Sequence, residues 1–304
     1  MIKVGILEAA SSHGAQLVRI LLQHPDVEIA WAQSSVAQGL LSSVIKGIVG
    51  DTSMSFCRVA LGAVDVVINC SPTPVQPEFI AAIAADPSKV RVIETCVSDV
   101  SDQYVYGLCE LNRKALVRGA LLARQPSPLA MAVELSLLPL ARHLMLNSPA
   151  RVSAAVGVGG SECISQRGAG SLPESDEIAS ALRLVQSSFF HQVDIVEMRC
   201  AGVHGLMTIA SIPCSMSLGE LCDMYEKTFD DHNFVHVCRE PVDTRDIAGT
   251  NKCLLHLDKH GDILQISCVL DPKIKGTAGN TVHIMNLMFG LHECTGLNLI
   301  STVD

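Results

Sequence analysis

The stretch Ile2-Lys-Val-Gly-Ile-Leu-Glu-Ala-Ala-Ser-Ser-His-Gly14-Ala-Gln-Leu-Val-Arg-Ile-Leu-Leu22 decides the fold. Lys3 to Leu7 suits a buried strand, and a short polar turn follows. From Gly14 to Gln23 the apolar residues Leu17, Ile20 and Leu21 recur at helical spacing until His24-Pro25 stops the run. Strand, turn and helix in that order open a parallel α/β sheet. In such a sheet the turn is where a ligand phosphate meets the helix N-terminus.

The alternation continues outward. Val27 to Ala32, Asp65 to Asn69 and Val90 to Glu94 are expected strands, and Pro77 to Ala85 an expected helix. Leu121-Leu-Ala-Arg-Gln-Pro-Ser-Pro-Leu-Ala-Met-Ala-Val-Glu-Leu-Ser-Leu-Leu-Pro-Leu140 repeats the strand, tight turn and helix, in the form that presents a residue at the helix start. Later, Arg151 to Gly159, Gln192 to Arg199 and Gly205 to Pro213 alternate as strands, and Asp176 to Gln186 reads as a helix. Ser217-Leu-Gly-Glu220 is a capping box opening a helix to about Asp230. Lys252 to Leu257 and Ile263 to Leu270 form a hairpin across Asp258-Lys-His-Gly-Asp262, and Asn280 to Leu291 is a closing helix. The fold class is α/β: a Rossmann-type doubly wound domain over 1–148, with 279–304 returning to it, and an α+β domain with a mixed or antiparallel sheet over 149–278.

Composition sets limits. A chain of 304 residues with 48% hydrophobic and 4% aromatic residues suits two α/β cores. A net charge of -9 argues against nucleic acid and anionic membrane surfaces. No apolar run approaches the length of a membrane span. Met1 leads directly into a strand, so no secretory signal is expected. The 12 cysteines are scattered singly, without a zinc spacing. A reducing cytoplasm fits them, and most sit in apolar surroundings as small hydrophobes.

Several phrases, taken in order, resemble the N-acetyl-gamma-glutamyl-phosphate reductase family of the aspartate-semialdehyde dehydrogenase superfamily. They are Ile2 to Leu7, Gly14 to Glu28, Tyr106-Gly-Leu-Cys-Glu-Leu-Asn-Arg113, Gly249-Thr-Asn251, Lys275-Gly-Thr-Ala-Gly-Asn280, Asn286-Leu-Met-Phe-Gly-Leu291 and Thr295-Gly-Leu297. The resemblance implies NADP-dependent reduction of an acyl phosphate to an aldehyde through a cysteine thioester, a step of arginine biosynthesis. It also implies a homo-oligomer, dimer or tetramer, formed through the second sheet. Against the family, the chain is shortened between Asp99 and Tyr106.

Carried over residue by residue, the site departs from the family at four places. The thiolate position is Pro128, between Ser127 and Leu129; proline offers neither a nucleophilic atom nor an N–H for an oxyanion. The general base, six residues before His204, falls on Met198, which exchanges no proton. A basic Gly-His-Arg-His run is replaced in Pro173-Glu-Ser-Asp-Glu-Ile178. Glu8 and Ser11 stand where the turn has glycines, and a carboxylate at Glu8 opposes a phosphate there.

The residues that could still bind a cofactor are Ser11, Ser12, His13 and Gly14 in the turn, Ser34 and Ser35 after the second strand, Cys70 and Ser71 at a strand tip, and Asn280 and Asn286 near the last helix. No acidic residue follows the second strand, so the phosphorylated dinucleotide suits Gln33-Ser34-Ser35 unless these are ordinary turn residues. Cys96 is a candidate displaced nucleophile, His204 a candidate acid or anion ligand, and Arg167 a candidate substrate anchor; structural roles compete with each of them. Ser127 lacks a sequence-adjacent base. No metal is expected. The expected function is a family member without thioester chemistry that binds a metabolite, a cofactor remnant or an active paralogue. Its rival is an active NADP-dependent oxidoreductase with a rebuilt site.

Overall fold

The computed structural model of the chain describes residues 1–58, 62–83, 86–96, 103–157, 173–200 and 205–301. They form two compact units: Met1–Gln125 with Thr277–Asn298, and the described parts of Pro126–Ser165 and Leu172–Gly276. The protein is thus α/β, with a parallel Rossmann-like sheet in one unit and a mixed sheet in the other.

In the first unit the strands are β1 (Ile2–Leu7), β2 (Val27–Ala32), the short pair β3 (Gly39–Leu40) and β4 (Ser55–Phe56), β5 (Val66–Asn69), β6 (Arg91–Glu94), β7 (Val105–Tyr106) and β8 (Leu122–Arg124). The main sheet runs β2-β1-β5-β6-β8-β7 with every pairing parallel. The order reverses at β1 and β5, so a crevice opens beyond their carboxyl ends, where ligands bind in sheets of this kind. Helix α1 (Ser12–Leu22) begins two residues earlier than its apolar spacing indicates. Ser11 caps it, its Oγ accepting the Gly14 N–H at 3.0 Å.

Gly5 and Trp31 lie side by side where β1 and β2 pair out of step, between Val4 and Gly5. The buried indole lies against Gly5, in a cluster with Val64, Val67, Ile80, Val90 and Val92. Among the remaining helices of this unit are α2 (Leu41–Val44), α3 (Pro77–Ile83) and α4 (Cys109–Val117). The helix Gly279–Met288 closes the unit and follows a π-helical turn at Ile274–Ala278. It stops at Met288 rather than Leu291, because Gly290 takes φ 68. Leu291 N–H then bonds Asn286 O at 2.8 Å and Gly290 N–H bonds Leu287 O at 3.1 Å, a Schellman motif.

The second unit opens with α5 (Pro128–Arg142), buried from Pro128 to Ala141. Pro139 inside it removes one rung of the ladder, and next to that gap Tyr225 Oη–H donates to Ser136 O at 2.6 Å. Tyr225→Phe removes that buried hydrogen bond and should cost about 1 kcal/mol, read as a shift of the urea midpoint at constant slope.

The sheet of this unit comprises β9 (Ala150–Gly157), β10 (Val193–Cys200), β11 (Leu206–Pro213), β12 (Val235–Cys238), β13 (Cys253–His260) and β14 (Ile263–Leu270), in the order β10-β9-β11-β14-β13-β12. The hairpin is tighter than its sequence suggests. Both strands extend to a two-residue turn at Gly261-Asp262, where Gly261 at φ 61 supplies the first position of a type II′ turn. The helices Glu174–Arg183 and Leu218–Phe229 pack with α5 on one face, and the capping box at Ser217 and Glu220 is formed. The opposite face carries Ala155, Met207, Ile209 and Leu254, none of them fully buried.

Candidate functional site

At the switch point of the first sheet lies a cleft of about 360 Å³, lined by Leu7 and Glu8 at the tip of β1, Gln33 and Arg58, Asn69 and Ser71 at the tip of β5, and Thr73 to Gln76 with Phe79. Its wall is braced from below. Asn69 Nδ2 donates to Glu94 Oε2 at 2.6 Å and to Thr73 O at 2.7 Å, and Val75 N–H donates to Glu94 Oε1 at 2.7 Å. Burial raises the Glu94 carboxyl, while the two donors act to lower it. Phe79 meets Trp31 edge to face at 6.4 Å. The loop that walls the cleft is therefore fixed by buried polar bonds.

The β1–α1 turn is drawn in tightly. Ser11 N–H bonds Glu8 O at 2.9 Å, and a Cβ on Gly14 would lie 2.6 Å from Ala9 Cα. Only glycine fits at Gly14, for the close helix–strand approach that a nucleotide fold uses. Glu8 itself takes φ 52. Its N–H donates to Gln33 Oε1 at 3.1 Å, and its carboxylate accepts the Ser35 N–H at 3.2 and 3.3 Å. The sequence places no acid after the second strand, but the fold brings one there from the first turn.

Other candidates bond mainly within the protein. Ser34 is fully buried and its Oγ accepts from Val36 and Ala37 N–H, at 3.2 and 2.9 Å, so it shapes a turn. Ser35 contributes its backbone, and Ser71 Oγ accepts the Thr73 N–H at 3.0 Å. Asn286 is spent internally: Nδ2 donates to Glu293 O and Thr295 O, and Oδ1 lies 3.0 Å from His24 Nε2. Asn280, fully buried, donates from Nδ2 to Gly107 O at 3.0 Å and leaves Oδ1 without a hydrogen-bond partner. His13 is buried, 3.4 Å from Thr281 Oγ1, and burial lowers it to about 4, so it is neutral near pH 7. Ser12 is the first helical residue of α1.

Cys96 lies beside Thr95, its Sγ 3.5 Å from Thr95 Oγ1 and 3.8 Å from Cys70 O. Burial and the Glu94 charge raise both thiols, Cys70 well above its ordinary value. A thiol held protonated is a poorer nucleophile, so Cys96 would need a base to activate it. His204 and Arg167 lie outside the described residues, as does half of the shortened stretch between Asp99 and Tyr106.

In the second unit the start of α5 is capped and closely packed. Ser127 is the N-cap, its Oγ 3.0 Å from Ala130 N and donating to Glu174 Oε1 at 3.2 Å. Pro128 is buried at the first helical position, and a Cβ on Gly276 would lie 2.8 Å from Pro128 Cβ. Met198 is on the edge strand β10, 46% exposed.

Residues 3–118 match the family described as semialdehyde dehydrogenase, NAD binding domain, and residues 174–271 match semialdehyde dehydrogenase, dimerisation domain. N-acetyl-gamma-glutamyl-phosphate reductase of Phocaeicola vulgatus is 34% identical across 98% of each chain, and that of Bacteroides thetaiotaomicron is 33% identical across 98% of each. This chain belongs to the N-acetyl-gamma-glutamyl-phosphate reductase family. Among solved structures, aspartate semialdehyde dehydrogenase II of Vibrio cholerae, complexed with ASA, superposes with a TM-score of 0.72 at 13% identity over 95% of this chain and 98% of that one. Aspartate semialdehyde dehydrogenase of Candida albicans, with NADP, gives 0.64 at 12% identity over 95% and 98%. These two share the fold. In this family member the strands β10 to β14 of the second sheet fall within the dimerisation-domain match, and among the described residues no helix is long and apolar enough to cross a membrane.

Three features of the cleft were missed by sequence reasoning: the Glu8–Ser35 bond, Arg58 and the Glu94 brace. The last had a signal, an acid closing a strand directly after the apolar pair Val92-Ile93. The first had none, because its partners are 27 residues apart.

Proposed function

We propose that this protein is a family member that keeps a nucleotide cleft and has given up reduction through a thioester. The observation that carries this reading is the start of α5. A thiolate that attacks an acyl phosphate must stand at a helix start with N–H groups free to receive the oxyanion. Pro128 supplies neither thiol nor N–H, and Ser127 Oγ already occupies the Ala130 N–H. Met198, at the position of the base, has no proton to exchange.

The cleft supports the other half. Gly14 keeps the close turn, and the loop from Thr73 to Gln76 is braced. A nicotinamide dinucleotide, when bound, would supply a hydride. Glu8, Gln33 and Phe79 would hold its nucleoside. Without a covalent acyl group to receive the hydride, the site binds and reports on its ligand. The protein then acts through a small-molecule metabolite or an active paralogue, assembled as a dimer or tetramer by the open face of the second sheet.

The test is the reverse reaction. Purified protein with N-acetylglutamate semialdehyde, phosphate and NADP or NAD should form reduced cofactor at least about 10⁴-fold more slowly than a cysteine-containing relative, followed at the absorbance of the reduced nicotinamide. Turnover within an order of magnitude of that relative would overturn the reading.

A further inference from the structure

Three observations meet at the tip of β1. Glu8 stands in left-handed backbone at φ 52, a conformation that a residue with a Cβ holds only where its surroundings impose it. Its two ends are both tied down, the N–H to Gln33 Oε1 and the carboxylate to the Ser35 N–H beyond β2. The same side chain lines the cleft, opposite the apolar wall of Pro74, Val75 and Phe79.

In a doubly wound sheet a nucleoside lays its ribose at the end of the second strand. An acidic side chain there accepts from a 2′-hydroxyl, whereas a basic one accommodates a 2′-phosphate. In this chain the acid comes from the first turn and is fixed over the end of the second strand. A carboxylate has acceptor sites to spare for a hydroxyl after taking one N–H, and it repels a phosphate. Arg58 is the cation in the lining that would favour a phosphate. It is exposed, and its Nε–H and Nη2–H point at the Gln38 side-chain oxygen once that amide is turned to satisfy them. Glu8 is the more enclosed of the two, with its carboxylate set on the Ser35 N–H, so it weighs more at that position than the exposed Arg58.

Resting on the reading that the cleft binds a nucleotide, we infer that Glu8 is its specificity residue, accepting nucleosides and dinucleotides with a free ribose 2′-hydroxyl and excluding those with a 2′-phosphate. The strain at Glu8 is then retained for selection, and the base of the ligand lies against Phe79.

Calorimetric titration of the full chain with NADH, NADPH, adenosine 5′-phosphate and adenosine 2′,5′-bisphosphate tests this. NADH and adenosine 5′-phosphate should bind at least ~10-fold more tightly than their 2′-phosphorylated counterparts. Glu8→Gln should narrow that gap several-fold by removing the charge. Glu8→Gly, which removes the left-handed strain and so does not threaten folding, should abolish the preference while leaving NADPH binding equal or stronger. NADPH binding as tightly as NADH, or a ratio unmoved in both variants, would overturn the inference and leave the nucleotide cleft standing. No binding of any of the four would sink both.

Discussion

Gly5→Ala should lower stability by about 3 kcal/mol, the upper range for overpacking a core, and largely through one contact. A methyl there would sit 2.1 Å from Trp31 Cζ2 and 2.4 Å from Cε2. The indole has nowhere to retreat: it is 2% exposed, its Nε1–H donates to Gly62 O at 3.3 Å, and its outer edge meets Phe79. The close approach arises from the register slip between β1 and β2, which sets Trp31 directly against Gly5. Trp31 is the single tryptophan of the chain, so its emission during urea unfolding reports the damaged site itself. A double-mutant cycle isolates the cause. In a Trp31→Leu background, followed by circular dichroism, adding Gly5→Ala should cost 1–2 kcal/mol less than in the wild type. Equal costs in both backgrounds would show that the methyl harms the strand for some other reason.

His13 should make the protein acid-sensitive by about 2 kcal/mol between pH 7 and pH 5. Unfolded, its imidazole binds a proton near 6.5; folded, burial lowers this to about 4. Between those values the unfolded chain holds more protons, so the contribution is full above 6.5 and declines as the pH falls toward 4. At pH 5 the loss is about 1.4 kcal/mol for each of the 1.5 pH intervals below 6.5. Glu94 acts in the opposite sense, since burial raises its carboxyl, and its stability contribution diminishes as the pH climbs above the ordinary carboxylate range. The comparison of wild type with His13→Leu cancels Glu94 and leaves His13 alone. The variant should show a flatter stability profile through this window, measured by urea unfolding at each pH; parallel profiles would count against a neutral, desolvated imidazole.

Both predictions concern the part of the fold that is most legible in the sequence. The strand Ile2–Leu7, the helix behind it and the capping box at Ser217 are local patterns of apolar spacing and side-chain caps, which act over a few residues. The last helix was placed too far along because its end depends on the backbone of Gly290 turning left-handed, and the hairpin turn was drawn too wide because Gly261 does the same. The site was legible only in its losses. Pro128 and Met198 announce an absence by residue type alone. What the cleft gained, the Glu8 carboxylate set on Ser35 and the Asn69–Glu94 brace, depends on which strand tips the sheet order brings together. The same applies to Ser34 and Asn286, whose residue types suit a ligand but whose bonds are internal.

The first unit is assembled from both ends of the chain. Asn280 holds Gly107, Asn286 holds His24, and Glu293 bonds Arg113 and His283, at 2.8 Å in each case, so the helix Gly279–Met288 and the residues after it are part of what makes that sheet a finished body. On a ribosome adding ~5–20 residues per second, Gln125 precedes Thr277 by 152 residues, and so by about 8–30 s. For that interval the nascent sheet has its strands but not its last helix, and apolar surface meant for that helix faces the solvent. Synthesis therefore gives the intervening segment, Pro126 onward, the first opportunity to fold, and the older half of the chain must be kept from aggregating until the youngest part arrives.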